Sequence, residues 1–254
     1  MYPYDLIFGL GLYELSAAGG ILCAMVIFRH LSEQRGLPVR LHNFILADAV
    51  LTVVGGYFSA VLTQAFYDSL ASGTFSVSIS TGSTFLGGLV GGTILFLAVY
   101  FAAGHFYFPD GAHRKFFPAV TDLFAVCVPA AHAFGRIGCL MAGCCHGRPA
   151  EWGLYHVNLG TRVIPVQLFE ALFLAGLCIF LWQITARYPG TGFSKYLLFY
   201  GIWRFIAEFF RADDRGKTLV SFLSPSQLTS VLLIVSGLLL LYLHSRRRRE
   251  QNEP

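Results

Sequence analysis

The chain has 254 residues, of which 55% are hydrophobic and only 13% are charged, and its formal net charge is +4. Soluble globular proteins carry about a quarter charged residues, so this composition excludes an ordinary soluble domain and indicates a polytopic membrane protein. The mean hydropathy of +0.61 agrees with that class. The positive charge lies at the ends of apolar segments and in the C-terminal tail, which indicates contact with lipid headgroups and no nucleic-acid partner.

Seven apolar segments are long enough to span a bilayer, which takes about 20 residues of helix. They are predicted at 6–28, 44–66, 85–104, 119–141, 165–187, 193–211 and 225–244. The third segment begins with a run of small residues, Gly87, Gly88, Gly91 and Gly92, which permits either close packing of helices or the wall of a cavity. The first segment lacks a basic leader and a cleavage site, so we expect it to be retained. No repeat or linker divides the chain. We therefore predict an all-α membrane protein with about seven transmembrane helices in one domain, residues 1–254.

The distribution of basic residues predicts the orientation in the membrane. With the N-terminus outside, the inner segments carry eleven Arg and Lys residues and the outer segments carry five. The eleven are Arg29, Arg35, Arg40, Arg114, Lys115, Arg187, Lys195, Arg246, Arg247, Arg248 and Arg249. This bias predicts an outer N-terminus and a cytoplasmic C-terminus. The segment 148–164 is then an outer loop, in which we expect Trp152, Tyr155 and His156 to anchor at the membrane interface.

Two arginines, Arg136 and Arg204, lie in or near predicted spans at a similar depth towards the outer leaflet. A charged side chain near hydrocarbon must be paired or face a polar cavity, which makes both arginines functional candidates. The alternative for either one alone is snorkelling of the side chain to the headgroup level. A guanidinium group binds phosphate in a bidentate manner. Tyr200 and Glu208 lie four residues before and after Arg204, so with Arg211 they form a polar stripe on one helical face.

The segment 135–147 combines glycines with three thiols and a histidine. Its glycines are Gly135, Gly138, Gly143 and Gly147, and its thiols are Cys139, Cys144 and Cys145. The glycines indicate backbone bends, close approach to a ligand and backbone N–H groups that bind an anion. The thiols with His146 leave a metal site, a disulfide and a Cys–His nucleophile open. Because Cys-x4-Cys-Cys-His matches no closed metal site, we predict neither a metal nor another cofactor.

Four motifs resemble those of the bacterial prolipoprotein diacylglyceryl transferase family, and together they cover most of the chain. Gly135-Arg136-Ile-Gly138 opens, and Gly147-Arg148-Pro149 closes, a block that is similar to the family signature. Two further similar motifs are Phe85-Leu-Gly-Gly-Leu-Val-Gly91 and Pro165-Val-Gln167-Leu168-Phe-Glu170. The most specific motif is Tyr200-Gly-Ile-Trp-Arg204-Phe-Ile-Ala-Glu208-Phe-Phe-Arg211.

This resemblance implies transfer of the diacylglyceryl group of phosphatidylglycerol to the cysteine thiol of a preprolipoprotein lipobox, with glycerol phosphate as the leaving group. It also implies a multi-pass protein of the bacterial inner membrane that acts at the outer face, in contact with membrane lipids. By the resemblance Arg136 and Arg204 hold the phosphate, Tyr200 orients the headgroup and Glu208 fixes Arg204. The other residues expected at this lipid site are Gly135, Gly138, Gly147, Gln167 and Arg211.

The chain departs from the family pattern at positions that matter for the acceptor thiol. Leu86 occupies the place of a family histidine that is a candidate base, and Cys139 and Cys144 occupy the places of an asparagine and a glutamate. His146 is a candidate replacement base, and an interfacial histidine is the alternative. Two other functions therefore stay open, namely a divergent paralogue with another acceptor and a non-catalytic lipid-binding or thiol-redox membrane protein.

Overall fold

The computed structural model describes residues 5–7, 10–72, 74, 77, 84–212 and 223–252. These residues form seven α-helices and four short strands. The helices are α1 (Leu12–Gln34), α2 (Val39–Ser72), α3 (Phe85–Tyr107), α4 (Ala112–Ala142), α5 (Val166–Arg187), α6 (Gly192–Ala207) and α7 (Pro225–Asn252). The strands are β1 (Asp5–Ile7), β2 (Leu10–Gly11), β3 (Pro149–His156) and β4 (Thr161–Val163).

Six of these helices are long and apolar enough to cross a membrane, which confirms an all-α polytopic membrane protein. The exception among the described helices is α6, which has 16 residues. It ends at Ala207, short of the predicted end at 211, because a 3-10 turn at Glu208–Phe210 follows it. The orientation of the termini stays a prediction.

The start of the first predicted span, at residue 6, is wrong. β1 and β2 pair as antiparallel strands there, and α1 begins only at Leu12. The Glu14 carboxylate accepts a hydrogen bond from the Gly11 N–H at 2.8 Å. An acidic side chain in the first turn compensates the unpaired N–H groups of a helix start, so Glu14 helps to set this boundary.

The chain divides into two compact units, and the smaller one is Ser32–Phe117. Within it α2 packs against α3 at their glycines: a Cβ atom at Gly56 would lie 3.2 Å from the Gly88 carbonyl oxygen. Of the two alternatives for the glycines of this third span, close packing of helices is observed at Gly88. Leu86 belongs to the first turn of α3, and its side chain lies outside the described residues. The single-domain organisation stays a prediction.

The larger unit comprises Met1–Leu31 and Pro118–Pro254 and contains the residues of the predicted site. In it α6 packs against both α5 and α7. Phe173 of α5 stacks on Trp203 of α6, with ring centroids 4.5 Å apart. A Cβ atom at Gly201 of α6 would lie 3.0 Å from the Ser230 carbonyl oxygen of α7, so the absence of a side chain permits this approach.

The predicted outer loop at 148–164 is a β-hairpin, formed by β3 and β4. Trp152 and Tyr155 are exposed on it, as an interfacial role requires. His156 is buried, and its Nε2 lies 2.6 Å from the Gly143 carbonyl oxygen. The prediction that His156 anchors at the interface is therefore wrong, because its ring fastens the hairpin to the loop that follows α4.

Candidate functional site

Arg136 lies on α4, and the neighbours that the structure describes contact one of its nitrogens. Its Nε donates a hydrogen bond to His132 Nε2 at 3.3 Å and lies 3.1 Å from Glu170 Oε2. The hydrogen bonds of Arg136 to described residues use Nε alone, and its side chain keeps 13% of its surface exposed. Both terminal nitrogens therefore remain as donors for a ligand with several acceptor oxygens.

Glu170 connects Arg136 to α6. Its carboxylate, near the start of α5, is fully buried, and its Oε1 accepts a hydrogen bond from the Tyr200 hydroxyl at 3.1 Å. A buried carboxylate is retained only when it is paired, so Glu170 fixes the position of both Arg136 and Tyr200. Glu170 belongs to one of the four sequence motifs but is not among the predicted site residues. The signal that could have found it is a carboxylate inside an apolar segment.

Aromatic contacts complete the surroundings of Tyr200. Its ring meets His132 edge to face, with centroids 5.2 Å apart, and stacks on Tyr196 with centroids 5.8 Å apart. His132 therefore contacts both Arg136 and Tyr200, which makes it a second residue that the sequence did not single out. These rings hold the Tyr200 hydroxyl against Glu170.

Arg204 lies further along α6 and is engaged by protein groups at a terminal nitrogen. Its Nη2 is 2.9 Å from Glu208 Oε2 and donates to the Ser226 hydroxyl of α7 at 2.8 Å. Glu208 Oε1 in turn accepts from the Ser224 hydroxyl at 2.8 Å. The predicted pairing of Arg204 with Glu208 is confirmed. Its role in holding phosphate stays a prediction.

The loop after α4 is tied to the residues that follow α6 by backbone hydrogen bonds. Gly147 and Arg211 form an isolated antiparallel bridge, and Arg148 N–H donates to the Phe210 carbonyl at 3.0 Å. A Cβ atom at Gly147 would lie 2.7 Å from that same carbonyl oxygen, so glycine permits the contact. The Arg211 side chain is almost buried, and its Nε lies 3.9 Å from Glu208 Oε2. Gly147 thus lies close to the backbone of Phe210. Its close approach to a ligand stays a prediction.

The other predicted glycines fall into two groups. Gly135 and Gly138 lie inside the continuous helix α4, so the predicted bends at these two residues are wrong. A Cβ atom at Gly138 would meet Tyr13 of α1 at 3.0 Å, whereas one at Gly135 would meet nothing within 4 Å. The chain turns instead at Gly143 and Cys145, whose φ angles are +74° and +60°.

Cys139, Cys144 and Cys145 come together at the C-terminal end of α4. Their three sulfur atoms lie within 4.8 Å of one another, and all three are free thiols. The structure therefore contains no disulfide among these three cysteines, which was one of the alternatives left open by the sequence. Hydrogen bonds from Cys139 and Cys144, with a further one from Arg211, lower the pKa of Cys145 from its ordinary value and favour its thiolate.

Gln167 and His146 both fasten the backbone of this loop. The buried Gln167 amide donates through Nε2 to the Cys144 carbonyl at 2.6 Å. His146 Nδ1 lies 3.0 Å from the Gly147 carbonyl oxygen, and its ring meets that of His156 with centroids 4.9 Å apart. Lipid contact by Gln167 and base catalysis by His146 stay predictions.

The cluster as a whole is a cationic, part-buried centre that can bind an anion. It contains three guanidinium groups (Arg136, Arg204 and Arg211) and two carboxylates (Glu170 and Glu208), so these five residues carry a net positive charge. In a region with little water such preorganised donors stabilise negative charge strongly. Next to them lie three thiols that can bind a soft cation or act as nucleophiles.

Comparisons with known proteins identify the family of this chain. The family model for prolipoprotein diacylglyceryl transferase matches residues 5–243. The chain is 30% identical to the phosphatidylglycerol–prolipoprotein diacylglyceryl transferase of Clostridium tetani over 91% of this chain and 93% of the relative. It is 28% identical to enzyme 2 of that name from Clostridium perfringens over 96% of each chain. It is 30% identical to the same-named protein of Geobacter sulfurreducens over 93% of this chain and 91% of the relative. The chain therefore belongs to the prolipoprotein diacylglyceryl transferase family.

Proposed function

We propose that this protein transfers the diacylglyceryl group of phosphatidylglycerol to a cysteine thiol in the lipobox of a prolipoprotein. The observation that carries the proposal is the geometry of Arg136, whose Nε is held against Glu170 while its terminal nitrogens stay available. That arrangement fits a phosphate group that gains charge during the reaction. Family membership supplies the reaction class.

The reaction is a displacement at carbon. The acceptor thiol releases its proton to water, and its sulfur forms a bond to the terminal glyceryl carbon of the lipid while the bond between that carbon and the phosphate oxygen breaks. The electron pair remains on that oxygen, so glycerol phosphate leaves with additional negative charge. Arg136 donates hydrogen bonds to it, and preorganised donors of this kind lower the barrier by stabilising charge that develops in the transition state.

Tyr200 and Glu170 are positioning residues in this mechanism. The Glu170 carboxylate accepts a hydrogen bond from the Tyr200 hydroxyl. It also lies against Nε of Arg136, so it fixes the guanidinium group and leaves the terminal nitrogens for the phosphate. The chemistry requires a lipid at the membrane surface and a secreted acceptor. We therefore place the activity at the outer face of a bacterial cytoplasmic membrane, as the distribution of basic residues predicts.

The full chain, purified in detergent with phosphatidylglycerol, tests the proposal with a lipobox peptide and a matched peptide that carries serine in place of cysteine. We expect a thioether product and glycerol phosphate in equal amounts with the cysteine peptide, and neither with the serine peptide. Lipid binding without a thioether would identify a lipid-binding protein and contradict the proposal. Transfer to a different acceptor would identify a divergent paralogue.

A further inference from the structure

The three-thiol cluster at the end of α4 is not used by the mechanism above. Cys139 lies in the last turn of α4, and Cys144 N–H donates to the Cys139 carbonyl at 3.2 Å, which folds the chain back towards the helix. Cys145 then adopts a φ of +60°, a conformation that non-glycine residues seldom adopt. Such a backbone persists where the surroundings determine it and occurs often at ligand sites. The fold thus turns three sulfur atoms towards one point.

The separation of the sulfur atoms is close to that of a metal site. Zinc–sulfur bonds of about 2.3 Å with tetrahedral angles place ligand sulfurs roughly 3.8 Å apart. The three sulfur atoms here all lie within 4.8 Å of one another, so side-chain movements of about an ångström close the site. Thiolates select soft or borderline cations such as Zn²⁺ over Mg²⁺ and Ca²⁺.

The backbone that carries the thiols is held by buried contacts. The Gln167 amide donates to the Cys144 carbonyl at 2.6 Å, and His156 Nε2 lies 2.6 Å from the Gly143 carbonyl oxygen. Gly147 is fixed by its bridge to Arg211. Outer contacts of this kind orient metal ligands and preserve the site between turnovers.

The cluster provides three ligands and leaves a fourth position open. Among the described residues, the group of His, Cys, Asp and Glu side chains that could hold one ion contains these cysteines and no fourth member. Structural zinc sites are closed by four protein ligands, whereas catalytic sites keep one position for water or substrate. Cys144 is exposed, so the cluster is accessible from outside the protein. Closed metal sites are identified in a sequence by the spacing of four ligands. A site with three protein ligands does not show that spacing.

We propose that Cys139, Cys144 and Cys145 bind one Zn²⁺ ion, whose open fourth position takes the acceptor thiol. The part concerning the acceptor rests on the proposed function. The thiol binds the metal as a thiolate and releases its proton to water at the exposed side. Its sulfur then forms the bond to the glyceryl carbon while the carbon–oxygen bond to phosphate breaks, and no group is oxidised or reduced. Arg136 lies three residues before Cys139 on α4, so phosphate and thiol are held on the same face.

Metal analysis of the purified full chain tests the site itself. The protein is reduced without oxygen, loaded with Zn²⁺ alone, desalted and analysed for metal, and a second sample is loaded with Co²⁺. We expect one ion per chain and, with Co²⁺, the near-ultraviolet charge-transfer band of thiolate ligation. Cys144→Ser and Cys145→Ser should lose the ion, whereas Cys23→Ser, in α1 and outside the cluster, should retain it. Zinc and cobalt contents no higher in the wild type than in Cys144→Ser would overturn the proposal.

The acceptor position is tested on the cobalt-loaded protein with the lipobox peptide and its serine counterpart. The cysteine peptide should change the visible cobalt spectrum and release a proton, and the serine peptide should do neither. An unchanged spectrum with the cysteine peptide would refute the acceptor role. The two proposals fail separately: full thioether formation by metal-free protein contradicts the zinc proposal only, whereas stoichiometric zinc without any thioether product contradicts the transferase only.

Discussion

Arg136 and Arg204 have the same side chain, a similar predicted depth and the same predicted role, yet the protein holds them differently. Arg136 contacts described neighbours through Nε and keeps its terminal nitrogens for a ligand. Arg204 uses the terminal nitrogen Nη2 for both Glu208 and Ser226. Since phosphate is bound by the terminal fork of a guanidinium group, we predict that Arg136 is the primary phosphate ligand.

The same comparison assigns Arg204 a role in the packing of α6 against α7. Its ion pair with Glu208 continues to the Ser224 hydroxyl, and its second hydrogen bond reaches Ser226 at the start of α7. Removal of one member of a buried ion pair leaves an uncompensated charge and destabilises the fold. Substitution of the two arginines should therefore affect different properties of the protein.

The largest effect on activity is expected for Arg136→Lys. Lysine keeps the positive charge beside Glu170 but cannot offer a planar fork to phosphate. We expect the rate of thioether formation to fall about 10²-fold, as on loss of a transition-state donor. The stability should fall by about 1 kcal/mol at most, for the lost hydrogen bond to His132. Arg246→Lys is the matched control, because Arg246 forms an exposed ion pair with Glu250 near the end of α7. Wild-type turnover in Arg136→Lys would contradict the prediction that the terminal nitrogens of Arg136 bind the phosphate.

Arg204→Lys should show the opposite balance. Lysine can still pair with Glu208, but the hydrogen bond to Ser226 is lost, which should lower the stability in detergent by about 1–2 kcal/mol. Turnover of the remaining folded protein should stay much closer to the wild type than that of Arg136→Lys. Thermal unfolding and the thioether assay on the same samples measure both quantities. Equal losses of turnover in the two variants would show that both arginines hold the phosphate.

Glu170→Gln tests whether the carboxylate that contacts Arg136 positions its guanidinium group for the reaction. The amide keeps the shape of the carboxylate, and its oxygen can still accept a hydrogen bond from the Tyr200 hydroxyl. It removes the negative charge that faces Arg136. We expect a loss of about tenfold in kcat/KM, because a displaced guanidinium fits the reacting phosphate less well. Glu250→Gln, which changes only an exposed pair, should have no effect.

A purely structural role for Glu170 would give a different result. Stability would then fall, while the activity of each folded molecule stayed unchanged. Restored turnover in Glu170→Asp, which keeps the charge, would also separate positioning from packing. The decisive readout is therefore turnover per folded protein, with KM and kcat measured separately.

The sequence predicted the contacts that depend on local spacing. Arg204 and Glu208 are one helical turn apart, so their pairing follows from helix geometry. Close packing at the α2–α3 glycines likewise follows from the size of the residues, since Gly56 admits the Gly88 carbonyl. Long apolar segments predicted seven membrane-spanning helices, and six of the described helices are long and apolar enough to span. This agreement is possible because length and composition are local properties.

Contacts between distant segments could not be predicted in this way. The ion pair of Arg136 with Glu170 joins α4 to α5, and no periodicity in either helix specifies the partner. The convergence of the thiols depends on the turn at Cys145, where φ is positive. Cysteine seldom adopts a positive φ, so the sequence does not indicate this turn. His156 was expected at the interface because its neighbours Trp152 and Tyr155 are aromatic, whereas the hairpin turns its ring inwards.

Gly147→Ala tests the connection between the loop after α4 and the residues that follow α6, the two helices that carry Arg136 and Arg204. The added methyl group would lie 2.7 Å from the Phe210 carbonyl oxygen and from Ile164 Cβ, so the bridge to Arg211 must shift. Overpacking of this kind costs about 1–3 kcal/mol, and we expect a correspondingly lower unfolding temperature. Gly176→Ala in α5 is the matched control: its methyl group meets nothing within 4 Å, and alanine is the better helix former, so stability should rise by up to about 1 kcal/mol. If Gly147→Ala were as stable as Gly176→Ala, the loop would not be held by this bridge, and the two arginines would act independently.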